Sequence, residues 1–400
     1  MRSEANLSRR RYGLRALLRK YLDLFRRVTW YRLARPVVIL HSDDWGLVGI
    51  ADRRHRAELR RAGVAASDSP WDGYSLETAE DLEELYSVLG RHRDGAGRPP
   101  RLGASFVLAN VDFERTLGNE LKRLCLRPIH RGWPAPWRRP GLLAAYREGI
   151  ERELLYPTLH GVTHFCLATA RSVLETGGKR RETLERLYRH GVSHLESVTP
   201  WLGFEFRRSR EPGASAWLPF AEQQRIVERG VELFDALFGR PPLSGCAPGY
   251  RANRDTYRAW AALGLGVIQE GPGGARRPYR DAAGLLHLHR TAELEPAVRG
   301  ARGALEQALA QCTAAFGQGA PAVVSIHSIN LQSSLKNHRD TTLELLDRFL
   351  SEIEERHPDM LYLDDGDLQQ ILGDEAPGRR NGIAWTSRRG FSPLRPRTGG

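Results

Sequence analysis

Val37-Val38-Ile39-Leu40-His41-Ser42-Asp43-Asp44-Trp45-Gly46 reads as a strand with four apolar residues in a row that runs into two adjacent carboxylates. A strand with no polar alternation is buried on both faces, the habit of a parallel sheet covered by helices. Asp and Gly also favour turns after strands, which is the plainer reading of its end. Against that, two like charges after so apolar a run repel each other unless something positive stands between them, and a metal ion is one candidate.

Outward from this run, short β-rich segments alternate with amphipathic ones. Strands are expected over 37–41, 104–109, 154–159, 243–247, 266–269, 285–290, 322–327 and 360–363. Helices are expected over 51–62, 76–89, 114–125, 141–153, 171–189, 219–238, 254–263, 301–316 and 340–356. The class is α/β, and seven or eight strands suit a distorted barrel better than a small open sheet. Two segments read as insertions, 64–101 and 129–139, the second carrying Trp133 and Trp137. Loops of that kind cover a site or simply lie tucked on the surface.

Composition sets outer limits. The 400 residues are 41% apolar and 27% charged, as in a globular protein. Cys125, Cys166, Cys246 and Cys312 form no C-x-x-C pair, which argues against a disulfide framework and for a reducing, cytoplasmic setting. No apolar run reaches transmembrane length, and no secretory signal pattern is seen. The net charge of +12 is concentrated at the ends. Residues 1–36 hold eleven basic against two acidic groups, and 374–400 hold six against two, leaving the middle near neutral. No specific nucleic-acid partner is therefore expected.

Three segments follow from this: a basic amphipathic helix over 1–35, a barrel domain over 36–373 and a disordered basic tail over 374–400. The helix, with Leu14, Leu17, Leu18, Tyr21, Phe25 and Val28 spaced three or four apart, packs on the domain or lies on a membrane. The second choice gives peripheral contact through 7–33, at the inner membrane face.

Histidines supply ligands for a metal. His160-Gly-Val-Thr-His164 follows an expected strand, and residues four apart on a helical turn share a face. With 13 histidines, about 0.4 such pairs arise by chance, so the motif alone is weak. A second copy, His190 to His194, follows an amphipathic helix and reads as a structural echo, Gly191 being its C-cap. His287 and His289 share one strand face and read as ordinary strand residues. His160-x-x-x-His164 lacks the zincin glutamate, so a base must come from elsewhere, and Asp43 is well placed. His327, at a strand end, is a candidate acid.

These residues resemble the polysaccharide deacetylase family, with the NodB-homology or carbohydrate esterase 4 fold. The resemblance rests on His41-Ser42-Asp43-Asp44-Trp45, on His160 to His164, on Ile326-His327 and, in part, on Pro248 with Asn253, Asp255 and Thr256. It implies a distorted (β/α)7-8 barrel and a metal-dependent hydrolase that removes N- or O-linked acetyl groups from a carbohydrate or glycan precursor. In that scheme Asp43 is the base, His327 the acid, and Asp44, His160 and His164 hold one divalent metal, zinc being the expected ion. Trp45, Arg251, Arg290 and Glu295 are candidates for touching substrate or orienting the base.

One departure stands out. The family's arginine before a Pro pair is replaced by Cys246-Ala247-Pro248, so the charge that steadies the base is missing there. Arg290, with Glu295 holding it, is the expected substitute, and Arg251 is the rival. Two other classes stay open: a catalytically idle metal- or carbohydrate-binding member, and a membrane-associated scaffold in polysaccharide biosynthesis.

Overall fold

Seven strands carry the architecture of the structure, a computed structural model that describes residues 28–135, 137–209 and 216–373. They are β1 (Val37–Trp45), β2 (Leu102–Val107), β3 (Leu155–Gly161), β4 (Ser244–Gly245), β5 (Val267–Pro272), β6 (Leu286–Arg290) and β7 (Ala322–Ser325). All neighbours pair in parallel, in the order β6-β5-β4-β3-β2-β1-β7. Past Thr291 the chain continues as Ala292–Glu293, which pairs in parallel with β7. A single stretch thus bonds to β5 with its first half and to β7 with its second. The expected barrel takes this form: a mixed α/β fold whose parallel sheet is joined end to end by a bent segment, not by a regular closed ladder.

Strand alternation explains what fills the inside. Residues two apart on one strand share a face, so Val37, Ile39, His41 and Asp43 all point inward. At the strand starts the filling is apolar, with Val37, Ile39, Val267, Leu286, Leu288 and Val323 in one cluster with Leu361 and Leu363. One layer up it is polar. His41 Nε2 lies 2.8 Å from Asp365 Oδ1, the Gln269 amide donates to Asp365 Oδ2 at 2.7 Å, and Ser105 Oγ donates to Gln269 Oε1 at 3.1 Å. The top layer is charged and contains Asp43 and Arg290. Removing a buried side chain such as Ile39 would cost about 2–5 kcal/mol, so the lower layer is what anchors the upper ones.

The outer faces of the strands pack on helices, among them Ala79–Leu89, Leu142–Glu151, Phe220–Phe238, Ala304–Gly317 and Arg339–Arg356. The helix expected over 171–189 is two, Leu167–Thr176 and Lys179–Arg189. Gly177 and Gly178 both sit at φ +77, a conformation that ends a helix and that side chains resist. The helix expected over 114–125 stops at Gly118, because Glu120 and Leu121 turn to positive φ and the chain re-enters as the strand Leu126–Pro128.

The basic helix expected over 1–35 and the tail over 374–400 lie outside the described residues, except for 28–35. There Thr29–Trp30 forms a short strand antiparallel to Tyr279–Arg280. Among the described residues, no helix is long and apolar enough to cross a membrane.

Candidate active site

The finishing ends of the strands surround a cavity of about 290 Å³, the end where catalytic groups collect in such folds. The β1–β2 pairing shifts register between Ser42 and Trp45, and Asp44 sits at φ +70, rare for a residue other than glycine. This local strain lets two successive carboxylates face the cavity, and such strain concentrates at functional sites. The turn is held from both insertions: Gly46 N–H donates to Glu77 at 2.8 Å, and Trp133 Nε1–H donates to the Gly46 carbonyl at 3.1 Å. Burial pushes Glu77 up to about 7, against the hydrogen bond that it accepts from Tyr146.

Asp44 meets both histidines of the first motif. His160 Nε2 and His164 Nε2 each lie 3.1 Å from Asp44 Oδ1, and Tyr74 donates to Asp44 Oδ2 at 2.5 Å. His160 Nδ1 lies 2.9 Å from the Cys246 carbonyl, which can only accept, so Nδ1 carries the proton. Burial lowers the imidazole, but the hydrogen bond to Asp44 and the charges of Asp44 and Asp43 outweigh it and favour a second proton, on Nε2, aimed at the carboxylate oxygen. A divalent cation can take the place of that proton, and one carboxylate oxygen with two imidazole nitrogens is a donor set that suits zinc. The residues present therefore fit a divalent metal. Burial raises the Asp44 carboxyl, but His164 and His160 outweigh it and hold the group well below the usual range.

The loop between the two histidines hangs on Glu205, whose Oε1 accepts from the N–H groups of Val162 (2.6 Å) and Thr163 (3.0 Å). A Cβ at Gly161 would collide with that carboxylate, which accounts for the glycine. Burial pushes Glu205 up to about 8.

Asp43 is tied to Arg290. The guanidinium NH2 lies 2.6 Å from Asp43 Oδ1, NH1 donates to Ser325 Oγ at 3.0 Å, and the arginine is 1% exposed. Burial raises the Asp43 carboxyl, yet Arg290, then His160 and His327, outweigh it and keep the group far below its ordinary value. Cys246 Sγ lies 3.7 Å from Asp43 Oδ2, and burial pushes this thiol well up, so it stays neutral. Arg290 thus occupies the place beside Asp43 that Cys246 cannot fill.

His327 Nε2 faces Asp43 Oδ2 at 3.8 Å, and its Nδ1 lies 2.6 Å from Glu295 Oε1. Glu295 also accepts from the His327 backbone N–H, from Ser325 Oγ and from the Asn330 amide. Burial lowers His327, but the Glu295 charge and hydrogen bond outweigh it and lift the imidazole to about 9. The ring is therefore a protonated donor at neutral pH.

Some solved structures share features of this fold. A protein described as a polysaccharide deacetylase from Mycobacterium smegmatis has a TM-score of 0.43 at 12% identity, over 86% of this chain and 91% of its own. One described as a glycoside hydrolase/deacetylase from Parabacteroides distasonis reaches 0.48 at 10%, over 87% and 73%. A carbohydrate esterase 4 pseudoenzyme from Bacillus anthracis reaches 0.36 at 9%, over 84% and 67%. At this identity no function passes from them to this chain. No family model and no curated protein matches the sequence.

Not every expected residue reaches the cavity. Trp45, adjacent to the carboxylates in sequence, is swung by the bulge into the core, where it packs on Phe106 and Tyr146 and donates to Ser42. Aromatic surface comes instead from Trp71 and Tyr74 of the first insertion and from Phe204 and Tyr250, Trp71 standing edge-on to His327 at 5.1 Å. Arg251 is exposed, its guanidinium 6.0 Å from the Phe204 ring, and does not line the cavity. Glu295 touches Arg290 only through Ser325 and spends its oxygens on His327 and Asn330. The second motif is half structural: the His190 carbonyl faces His55 Nε2 at 2.7 Å, but His194 lines the cavity and stacks on His164 at 5.6 Å. His287 and His289 lie outside the cavity lining, His287 between Glu270 and Asp281.

Proposed function

We propose that the protein is a metal-dependent hydrolase that removes an acetyl group from a carbohydrate or glycan precursor. The observation that carries this is the convergence of a base, an acid and a three-residue metal donor set on one cavity. The family resemblance of these motifs supplies the acetyl-carbohydrate class. A divalent ion held by Asp44, His160 and His164 supplies Lewis acidity toward the acetyl carbonyl and toward water.

The protein's own groups do the rest. Asp43, kept ionised by Arg290, accepts a proton from the water that adds to the acetyl carbon. His327, kept protonated by Glu295, gives its Nε2 proton to the departing amine or alkoxide as the C–N or C–O bond breaks, and acetate leaves. A positioned acid or base of this kind is worth about 10²–10⁴ in rate. Trp71 and Tyr74 offer the rings on which a sugar can stack. The proposed setting is cytoplasmic, supported by four free cysteines, with residues 7–33 proposed to rest on the membrane surface.

The test is elemental analysis together with acetate release from a panel of acetylated glycans. One divalent ion per chain is expected, zinc favoured. His164→Ala should reduce the metal content to near zero, whereas His194→Ala should retain the ion, since His194 stacks on the donor set without belonging to it. Retention in the first and loss in the second would reverse the assignment of the two motifs.

The pH profile provides a separate check. His327 must carry its proton to act, so activity should fall as pH rises through about 9. Glu295→Gln removes the charge that raises the imidazole, and the alkaline limb should move to lower pH. An unmoved limb would take the donor role from His327.

A further inference from the structure

The two oxygens of Asp44 are met by two kinds of group. Oδ1 faces His160 Nε2 and His164 Nε2, 3.1 Å from each, whereas Oδ2 accepts from the Tyr74 hydroxyl at 2.5 Å. The donor set that suits a divalent ion therefore draws on one oxygen of this carboxylate. The other is engaged by a residue 30 positions further along the chain, in the first insertion.

Tyr74 is fixed by its backbone before its hydroxyl meets Asp44. Its carbonyl accepts from Ile50 N–H at 2.7 Å, and a Cβ at Gly49 would lie 2.3 Å from that same oxygen, so the approach requires a glycine. The next residue is held as well: Ser75 N–H donates to Gln332 Oε1 at 2.9 Å, and Ser75 Oγ donates to the Ala51 carbonyl at 3.0 Å. The tyrosine ring is buried and stacks 6.1 Å from Trp71. A hydroxyl donating to a carboxylate makes a charge-assisted bond, about twice as strong as a neutral one. Together with the Asp44 backbone at φ +70, it fixes which way the carboxylate faces. Drawing both oxygens toward one ion would turn the group and lengthen the Tyr74 bond.

We infer that Tyr74 is a positioning residue that keeps Asp44 a one-oxygen ligand and thereby widens the preference of the site for zinc over oxygen-seeking ions such as manganese. This rests on the metal-dependent reading above and specifies its ion. Zinc is satisfied by few ligands and takes imidazole readily, and two of the three donors here are imidazoles. Harder ions gain most from each added carboxylate oxygen. Zinc outranks manganese at most sites with nitrogen and oxygen donors, so the inference concerns the size of the preference and not its sign.

The experiment strips the full-length protein with a chelator and titrates it by calorimetry with zinc alone and with manganese alone, no sugar being present. Tyr74→Phe keeps the ring and removes the hydroxyl. Its zinc affinity should fall about 10–100-fold, as when the hydrogen-bond partner of a metal ligand is lost. Its manganese affinity should fall less, because the freed Oδ2 can join that ion, so the ratio of zinc to manganese affinity should narrow on the order of tenfold. Gly49→Ala pushes on the Tyr74 carbonyl from outside the donor set and should narrow the ratio in the same direction; it decides the matter if the first variant does not fold. A ratio that stays the same or widens, whether both affinities fall together or neither moves, would overturn the inference and leave the hydrolase reading standing. A wild type that takes up neither ion would overturn the metal-dependent reading itself.

Discussion

Asp43→Asn is expected to lose about 10²–10⁴ in kcat while keeping its metal. The reasoning is local. Arg290 NH2 lies 2.6 Å from Asp43 Oδ1, and only Oδ2 looks toward His327 and the cavity. An asparagine satisfies the guanidinium with its carbonyl oxygen, so its NH2 group takes the Oδ2 position. That group donates and cannot accept a proton from water. Asp44, His160 and His164 are untouched by the change, so metal content should match the wild type. Acetate release and elemental analysis on the same preparation separate the two effects. Full activity in the variant would remove Asp43 from the base role, and loss of metal would make it part of the donor set.

Much of the fold is legible in the sequence because its signals are local. The β1 run is apolar through Leu40, and each of the eight expected strands overlaps an observed one, since short β-rich segments between helices leave little other choice. The segment 171–189 shows where local signals fail. Its periodicity continues through Gly177-Gly178, and only the paired positive φ values divide it. Trp45 fails for a related reason: alternation predicts which face a residue takes only while the strand is regular, and the bulge at Asp43–Asp44 resets the count.

The site divides in the same way. Asp43, Asp44, His160, His164 and His327 each stand at or just beyond a strand end, which a pattern of strands can find. Glu205 and the true partner of Glu295 act through contacts with residues distant in the chain. Glu205 is 43 positions from Val162, and no periodicity links them. In the sequence His194 reads as an echo because its motif follows a helix, yet Trp137 Nε1–H anchors the Gly191 carbonyl at 2.8 Å in a stretch that leads His194 to the cavity. Spacing within a motif says that two side chains can share a face. It does not say what that face will meet.

Arg290→Met and Arg251→Met, measured side by side, should give opposite results. Arg290 is buried against Asp43, Ser325 and the Tyr250 ring, its Cζ 5.2 Å from the ring centroid. Methionine fills much of the volume but leaves Asp43 as a buried carboxylate without its main counter-charge. Removing one partner of a buried ion pair costs about 3–5 kcal/mol, far more than an exposed pair is worth. A lower Tm and a collapse of kcat are expected together, because the same contact stabilises the fold and keeps the base ionised. Arg290→Lys should recover part of the stability and little of the rate, since an ammonium cannot hold Asp43 and Ser325 with the spread of a guanidinium. Arg251 lies over Phe204 at the surface, where an exposed cation–π contact is worth about 0.5–1 kcal/mol. Its loss should leave both readings near wild type. If Arg251→Met alone loses activity, the charge that steadies Asp43 acts from the loop after β4, and the contact with Arg290 is only structural.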